Sequence, residues 1–462
     1  MRLTLGQVAD WMHAEGDFTE SAEVVGYSID SRTIAAGELF FAVKGERLDG
    51  HEYVGPALAN GAVAAVVSMR WLAPADIPEC KLLRVPDRDG EGVLLSLQRL
   101  AHEVRKSWGG RVIGITGSAG KTTTKEAVAQ VLSAKLRVLK SQGNLNNAFG
   151  VPLQLLRIEP EHEVAVIEMG MNHAGEIAAL AKIAGPDWGV VSNVAPVHLE
   201  YFPDGIEGIA RAKYELVQAL PSDGLAVLNC DDEHVARFGE GMGDRAVFYG
   251  LQECAQVRAV QVTELGTDGV MFTVEAGGQR ATVQLQLMGR HNVHNGLAAI
   301  AVGLRSGISL EECASALGAL SAGDKRGEVK EWHGAKLIND SYNSNPRALD
   351  AMVDALLAIP VEGRHIVVAG EMLELGPEGA ALHGACGRRM AARGVDVVIG
   401  VRGLAEALVE GATEGGATAL FVATPEEAGA WAKANVAAGD AVLFKASRGV
   451  RLERALAALE QS

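Results

Sequence analysis

The sequence predicts an α/β fold of three domains, and three observations carry that expectation. Its 462 residues suit about three units at roughly 150 residues each. Short β-rich runs alternate with helical patterns, which indicates mostly parallel sheets with helices on both faces. One of those runs ends in a Gly-rich turn, "TGSAGKTT", that opens a helix.

The first unit, residues 1–85, carries strands in "VVGYSID", "ELFFAV", "AVVS" and "KLLRV", with a helix near Val54–Asn60. The charged connection "PDRDGEG" follows, then a helix from Val93 to Lys106 and the seam "SWGG". The second unit, 86–322, holds strands in "RVIGIT", "VAVIEMG", "GVVSNV" and "LAVLNCDD". An antiparallel patch from Val257 to Leu287 closes it, with helices from Asn292 and Leu310. The third unit, 323–462, repeats strand and helix five times through "AKLIND", "HIVVAG", "DVVIGV", "ALFVAT" and "AVLFKAS". That rhythm describes a small doubly wound, Rossmann-like domain whose ligands sit beyond the strands' C-terminal ends.

Composition narrows the function classes. Hydrophobic residues at 48% and charged residues at 22% describe a soluble globular chain. No apolar run reaches the roughly 18 residues of a membrane span, and "MRLTLGQVADWMHAEGD" lacks a signal-peptide core, so the expected setting is the cytoplasm. The five scattered cysteines form no C-x-x-C pair and are expected as reduced, mostly buried thiols. A net charge of −16 disfavours nucleic acid as a partner, so any anionic ligand must be held by local cations, backbone N–H groups or metal.

The Gly-rich turn is such a local device, and it makes the central sheet P-loop-type. Its N–H groups and the helix N-terminus face an anion, Lys121 reaches outer phosphates, and the hydroxyl of Thr122 suits Mg²⁺. The spacing is shorter than G-x-x-x-x-G-K-[ST], since Ile115 stands where the first Gly would be. Glu168 ends the next strand, as either the metal's carboxylate or a solvated strand end. His198, in "NVAPVHLEYF", is either a ligand or structural. Lys213 falls on the apolar stripe of "GIEGIARAKYELVQAL": it either snorkels to water or is a buried amine made reactive by desolvation. Asn292 and Asn295 share a helix face, able to pair with a purine edge, although Asn292 also fits an N-cap. In "LINDSYNSNPRALDAM", Asn345 and Pro346 read as N-cap and first helical residue, leaving Asp340, Ser341, Tyr342 and Asn343 at a strand end. Glu371, Lys445, Ser447 and Arg448 occupy the matching position on neighbouring strands.

Taken together, "DSR", "GELFFAVKGERLDGHEYV", "TGSAGKTTTKE", "GNLNNAFGVP", "VIEMGMNHAGEI", "HLEYF", "AKYELV", "GRHNVHN", "NDSYNSNP", "GEMLELG" and "KASRG" closely resemble the muramyl ligase family of cell-wall enzymes. "GNLNN" and "DSYNSNP" resemble the branch that adds D-Ala-D-Ala more than those adding single amino acids. The resemblance implies that ATP drives the joining of UDP-MurNAc-tripeptide and D-Ala-D-Ala, in a monomer. It implies that Gly117, Ser118, Ala119, Gly120, Lys121, Thr122 and Thr123 bind the ATP phosphates. Thr122, Glu168 and His198 would serve Mg²⁺, with Lys213 carbamylated; Lys121, Lys213 and His198 would be catalytic. Asn292 and Asn295 would lie near adenine, Arg326 near phosphate and Asp340 at the ribose. Asp30, Ser31, Arg32, Lys44 and Gly45 would hold the UDP-sugar, making the first unit a UDP-binding domain. Asn144, Asn146 and Asn147 would approach its diphosphate and peptide, while Tyr342, Asn343, Lys445, Ser447 and Arg448 would face substrate. Lys325, Glu371 and Ala446 depart from the family's Gly, Asp and Gly. The rival readings are a sibling ligase adding one amino acid and a nucleotide switch, the latter lacking an N-K-x-D motif.

Overall fold

The structure is a computed structural model that describes residues 1–87 and 89–460; Arg88, in the charged connection, lies outside the described residues. β1 (Leu3–Thr4) and β2 (Glu23–Val24) form an antiparallel pair absent from the sequence reading. The helix Leu5–Met12 between them starts with a capping box, Thr4 and Gln7 bonding each other's backbone N–H. β3 (Gly26–Ser28), β4 (Glu38–Phe41), β5 (Ala64–Ser68) and β6 (Leu82–Val85) then make a four-stranded parallel sheet in sequential order.

The central sheet has nine strands. They are β7 (Arg111–Thr116), β8 (Val138–Lys140), β9 (Val164–Glu168), β10 (Trp188–Val191), β11 (Leu225–Asn229), β12 (Ala246–Gly250), β13 (Val257–Glu264), β14 (Val270–Ala276) and β15 (Gln279–Leu285). Their order is β15-β14-β13-β12-β11-β10-β7-β9-β8, parallel from β8 to β13 and antiparallel across β13, β14 and β15. Burial follows this change. All five residues of β11 are buried, whereas β14 alternates buried and half-buried, as an antiparallel strand with one covered face should. The sequence reading missed β8 and β12.

The third sheet contains β16 (Glu328–Trp332), β17 (Ala335–Asp340), β18 (His365–Gly370), β19 (Val397–Val401), β20 (Thr418–Val422) and β21 (Ala441–Lys445), in the order β16-β17-β21-β18-β19-β20. The five expected parallel strands are present. β16 is an additional antiparallel edge, charged and without a buried residue, so apolar patterning could not reveal it. The helix Pro346–Leu357 begins as expected, with Asn345 accepting from the Ala348 N–H.

The first sheet and one face of the central sheet share a continuous core, in which Phe41 and Val66 join Leu97, Leu100 and Val112. The opposite face buries the helix His291–Arg305 against Ile113, Val190 and Val227. The third sheet packs separate cores on its two faces. One cysteine expectation is overturned: Cys230 and Cys254 form a disulfide, because β11 and the turn after β12 bring them together. Cys80 is exposed, while Cys313 and Cys386 are buried thiols.

Candidate active site

β7 lies between β9 and β10, third from the β8 edge, so its C-terminal end, where the Gly-rich turn begins, opens inside the sheet. Two of its glycines are dictated by space and backbone. A Cβ on Gly117, at φ 151°, would sit 1.9 Å from Ser192 Oγ. One on Gly120, at φ 80°, would sit 2.7 Å from Asn295 Oδ1. The turn is stitched to the segment after β10: Ser118 N donates to Asn193 O, Ala119 N to Asn193 Oδ1, and Ser192 Oγ to Ala119 O. The helix Lys121–Leu132 then starts with no side-chain cap, so its first N–H groups remain available to an anion.

Lys121 Nζ donates to Gly117 O at 2.8 Å. Burial holds its pKa below the ordinary lysine value; Glu168 acts against that shift and Arg326, reaching in from the third unit, adds to it. Thr122 Oγ1 donates to Glu168 Oε2 and Asn146 Nδ2 to Glu168 Oε1, each at 2.9 Å. Glu168 is thus buried at a strand end facing the turn, not solvated. The hydroxyl and carboxylate are hard oxygen donors adjacent to a phosphate cradle, a set that fits Mg²⁺. His198 lines the same cavity, its Nδ1 2.5 Å from Glu374 Oε2.

Lys213 is 2% exposed, which excludes snorkelling. Burial, then the charge of Lys121, lowers its pKa well below the ordinary value, with Glu215 opposing. Glu215 is itself engaged by the N–H groups of Gly175 and Ala178, at the start of the helix Glu176–Ala184. Lys213 stands behind the cavity wall, not on it.

The cavity, about 890 Å³, spans the central and third units. From the central unit come the turn from Ser118 to Thr123, Asn144, Asn146, Glu168, His198, Asn292 and Asn295. From the third come Arg326, Asp340, Tyr342, Asn343, Lys445 and Arg448. Arg326 stacks its guanidinium 3.8 Å from the Tyr342 ring centroid. Lys445 is buried and bonds Asp340 and the carbonyl of Asn343.

Several sequence readings change at this level. Asn292 is not an N-cap; it lies inside its helix and donates to Met288 O. Asn295 donates to Asn292 and accepts from Thr124, so this pair braces the phosphate helix from beneath. Asn147 lies outside the cavity, accepting from the Phe149 and Gly150 N–H groups at the start of a helix. Ser447 is buried, receiving the Leu373 N–H and donating to Ser344 O. Glu371 accepts from Leu404 N, tying down the next loop. Lys325 adopts a left-handed φ of 56°, which gives the physical reason a Gly suits that position.

The first unit's candidates do not join this cavity. Asp30 is paired with Arg32, whose hydrogen bonds pull its pKa to about 2. Ser31 is buried, its carbonyl accepting from Asn60, and Lys44 and Gly45 shape the turn back to Leu48 and Asp49. Among the cavity-side groups that the sequence reading missed are His291, His294, Asn193 and Arg347. His291 and His294 stood inside "GRHNVHN", where only the asparagines drew notice. His291 is half-buried; its Nδ1 is covered and unpartnered among the described residues, and its pKa is pushed down to about 4 by burial, then by Lys445 and His294.

Three family models match successive stretches of the chain. Residues 23–102 match the Mur ligase family catalytic domain, 115–303 the Mur ligase middle domain, and 325–448 the Mur ligase glutamate ligase domain. A UDP-N-acetylmuramoyl-tripeptide–D-alanyl-D-alanine ligase of Bacillus subtilis is 35% identical over 96% of this chain and 94% of its own length. The chain belongs to the Mur ligase family. The corresponding Escherichia coli ligase is 36% identical over 86% of each chain. MurF from Acinetobacter baumannii superposes with a TM-score of 0.89, at 30% identity, covering 100% of this chain and 99% of its own. MurF ligase from Thermotoga maritima, in complex with ADP, gives 0.80 at 30% identity, covering 94% and 97%. This Mur ligase therefore has the three-domain α/β fold of those structures, and among its described residues no helix is long and apolar enough to cross a membrane.

Proposed function

We propose that this Mur ligase joins D-Ala-D-Ala to UDP-MurNAc-tripeptide at the expense of ATP, giving UDP-MurNAc-pentapeptide, ADP and phosphate. One observation carries the reading: the phosphate-gripping turn of the central unit and Arg326, Asp340 and Tyr342 of the third line a single cavity. In this reading residues 1–85 hold the UDP-sugar through Asp30, Ser31, Arg32, Lys44 and Gly45. Residues 86–322 hold ATP, and 323–462 bring the amine side through Tyr342, Asn343, Lys445 and Arg448. The enzyme acts as a monomer in the cytoplasm.

A carboxylate does not condense with an amine in water without activation. A carboxylate oxygen of the tripeptide attacks the γ-phosphorus, and the bond to the bridging oxygen of ADP breaks. The dipeptide's amine then attacks the acyl carbon; the tetrahedral intermediate expels phosphate and the nitrogen loses its proton. The first step brings two anions together, so its catalysis is positioning and charge neutralisation. The free N–H groups of the helix Lys121–Leu132, Lys121 and Arg326 supply that positive field. Mg²⁺, held by Thr122, Glu168, His198 and a carbamate on Lys213, would spread the charge of the phosphates. Closing the third unit over the central one excludes water from the acyl phosphate.

ADP release, measured with UDP-MurNAc-tripeptide and either D-Ala-D-Ala or single amino acids, tests the proposal. Turnover is expected with the dipeptide alone, and Lys121→Ala should reduce it by about two to three orders of magnitude while the fold persists. Turnover with a single amino acid would move the chain to a sibling branch; turnover needing neither substrate would make it a nucleotide switch.

A further inference from the structure

The central and third units meet at two interlocked turns. His198 takes a left-handed backbone, φ 55°, and opens the short turn Leu199–Tyr201 after β10. Glu374 takes the same conformation, φ 64°, just before the turn Gly376–Glu378 after β18. Gly376 sits so close to the first turn that a Cβ on it would stand 3.3 Å from Glu200 Cα. Both backbones hold a conformation that costs an ordinary residue roughly 1–2 kcal/mol, so the surrounding contacts must impose it. At their junction His198 Nδ1 lies 2.5 Å from Glu374 Oε2.

This contact has a chemical consequence for the other ring nitrogen. A carboxylate accepts from N–H, so Nδ1 carries the proton and Nε2 keeps its lone pair in the neutral ring. His198 lines the cavity that also holds Thr122 and Glu168. We infer that Glu374 is a positioning residue: carried on the third unit, it sets the tautomer and ring orientation of His198 on the central unit, presenting Nε2 to the cavity only when the two units are docked. The metal role of His198 rests on the reading given above; the tautomer coupling does not. Domain docking and completion of the ligand set thereby become one event, and the second unit need not touch the metal to control it.

Two Glu374 variants, with His198→Ala to assign the signal, and two measurements test this on the full chain. In ¹⁵N-imidazole spectra with ADP and Mg²⁺, the wild type should show His198 protonated at Nδ1, identified by the signal that His198→Ala removes. Glu374→Ala should lose that preference, whereas Glu374→Gln, whose amide oxygen still accepts from Nδ1–H, should retain it. In parallel, Glu374→Ala should raise the Mg²⁺ concentration for half-maximal ADP formation about tenfold or more, with kcat at saturating Mg²⁺ little changed. Glu374→Gln should recover most of the loss. An unchanged His198 spectrum in Glu374→Ala overturns the coupling. A changed spectrum with an unchanged Mg²⁺ requirement overturns the link to the metal site. If the wild type forms no ADP from the muramyl substrate, the functional reading fails while the spectra still decide the role of Glu374.

Discussion

In the proposed carbamate role, Lys213 trades stability for chemistry. Its burial keeps the amine's pKa far below the usual lysine range, so the folded state favours the neutral form, which can capture CO₂ through nitrogen with loss of a proton. The unfolded chain protonates near pH 10.4, so at neutral pH it binds more protons than the native state and stability rises with pH. Lys213→Met in CO₂-free buffer should therefore be more stable near pH 7, by about 1–3 kcal/mol in urea titrations, and the gain should shrink toward pH 10. If a carbamate on Lys213 helps hold Mg²⁺, Lys213→Ala should lose ADP formation, with partial rescue by small carboxylic acids whose oxygens replace the carbamate's. The apolar stripe of its helix was enough to single this Lys out. Glu374 stood inside "GEMLELG" and His198 inside "HLEYF", but nothing local to either motif pairs them, since they lie 176 positions apart. Pairing across that distance is a property of tertiary docking, which periodicity cannot report. The tie of Asn295 to Thr124, 171 positions away, was hidden for the same reason.

The elements that apolar patterning found are those buried on both faces, such as β7, β11 and β21, whose runs are continuous. Those it missed have little to bury: β8 buries only Leu139, and β16 nothing. β12, which buries four residues, followed a Gly-rich turn that masked its start. Polar ties also hold elements together without apolar signal. Asp440 is 2% exposed just before β21 and accepts from Arg364 N, Nε and Nη2 and from Ala437 N, locking the start of β18 to β21. Burial pushes its pKa up, but the Arg364 guanidinium and these N–H groups outweigh burial and hold it below the usual carboxylate value. A depressed carboxylate stabilises the fold above its unfolded pKa, near 3.9, and loses that contribution as pH falls through the folded value. Asp440→Asn should cost about 2 kcal/mol at pH 7, and the gap to the wild type should close below pH 4. Urea unfolding followed through Trp332 and Trp431, which pack on this sheet, would read it.

At the scale of the whole molecule, three units had been legible from length and alternation, but not how they divide their cores. The first unit is fused to the central one through a shared core, whereas the third has two cores of its own, entered from the central unit by Met288, and meets it at polar contacts as well. Arg347, on the third unit, donates to Val194 O and Asp232 Oδ2, each at 3.2 Å. Asp232 also caps the short helix Glu233–Arg237, so the Arg docks on a rigid anchor. The Arg347 side chain is half exposed, so the tie is worth about 1 kcal/mol. Arg347→Ala should shift the closed population severalfold, seen as a larger radius of gyration in X-ray scattering with ADP and Mg²⁺ and a raised KM for ATP. An unchanged radius and KM would show that the units are held by other contacts.

The placement of β7 has a consequence for how the enzyme is made. A ribosome releases β7 first among the central strands, yet its two neighbours are β9 and β10. The phosphate turn is moreover stitched to Ser192 and Asn193, which emerge some 75 residues after Thr116. At translation speeds of about 5–20 residues per second, the nascent turn waits roughly 4–15 s for the backbone that shapes it. Nascent chains stalled before residue 191 has left the exit tunnel should fail to retain nucleotide on an ATP resin, whereas chains stalled well beyond the helix His291–Arg305 should retain it. Nucleotide capture thus marks a late checkpoint in synthesis, even though the residues that grip it are among the first of their sheet to appear.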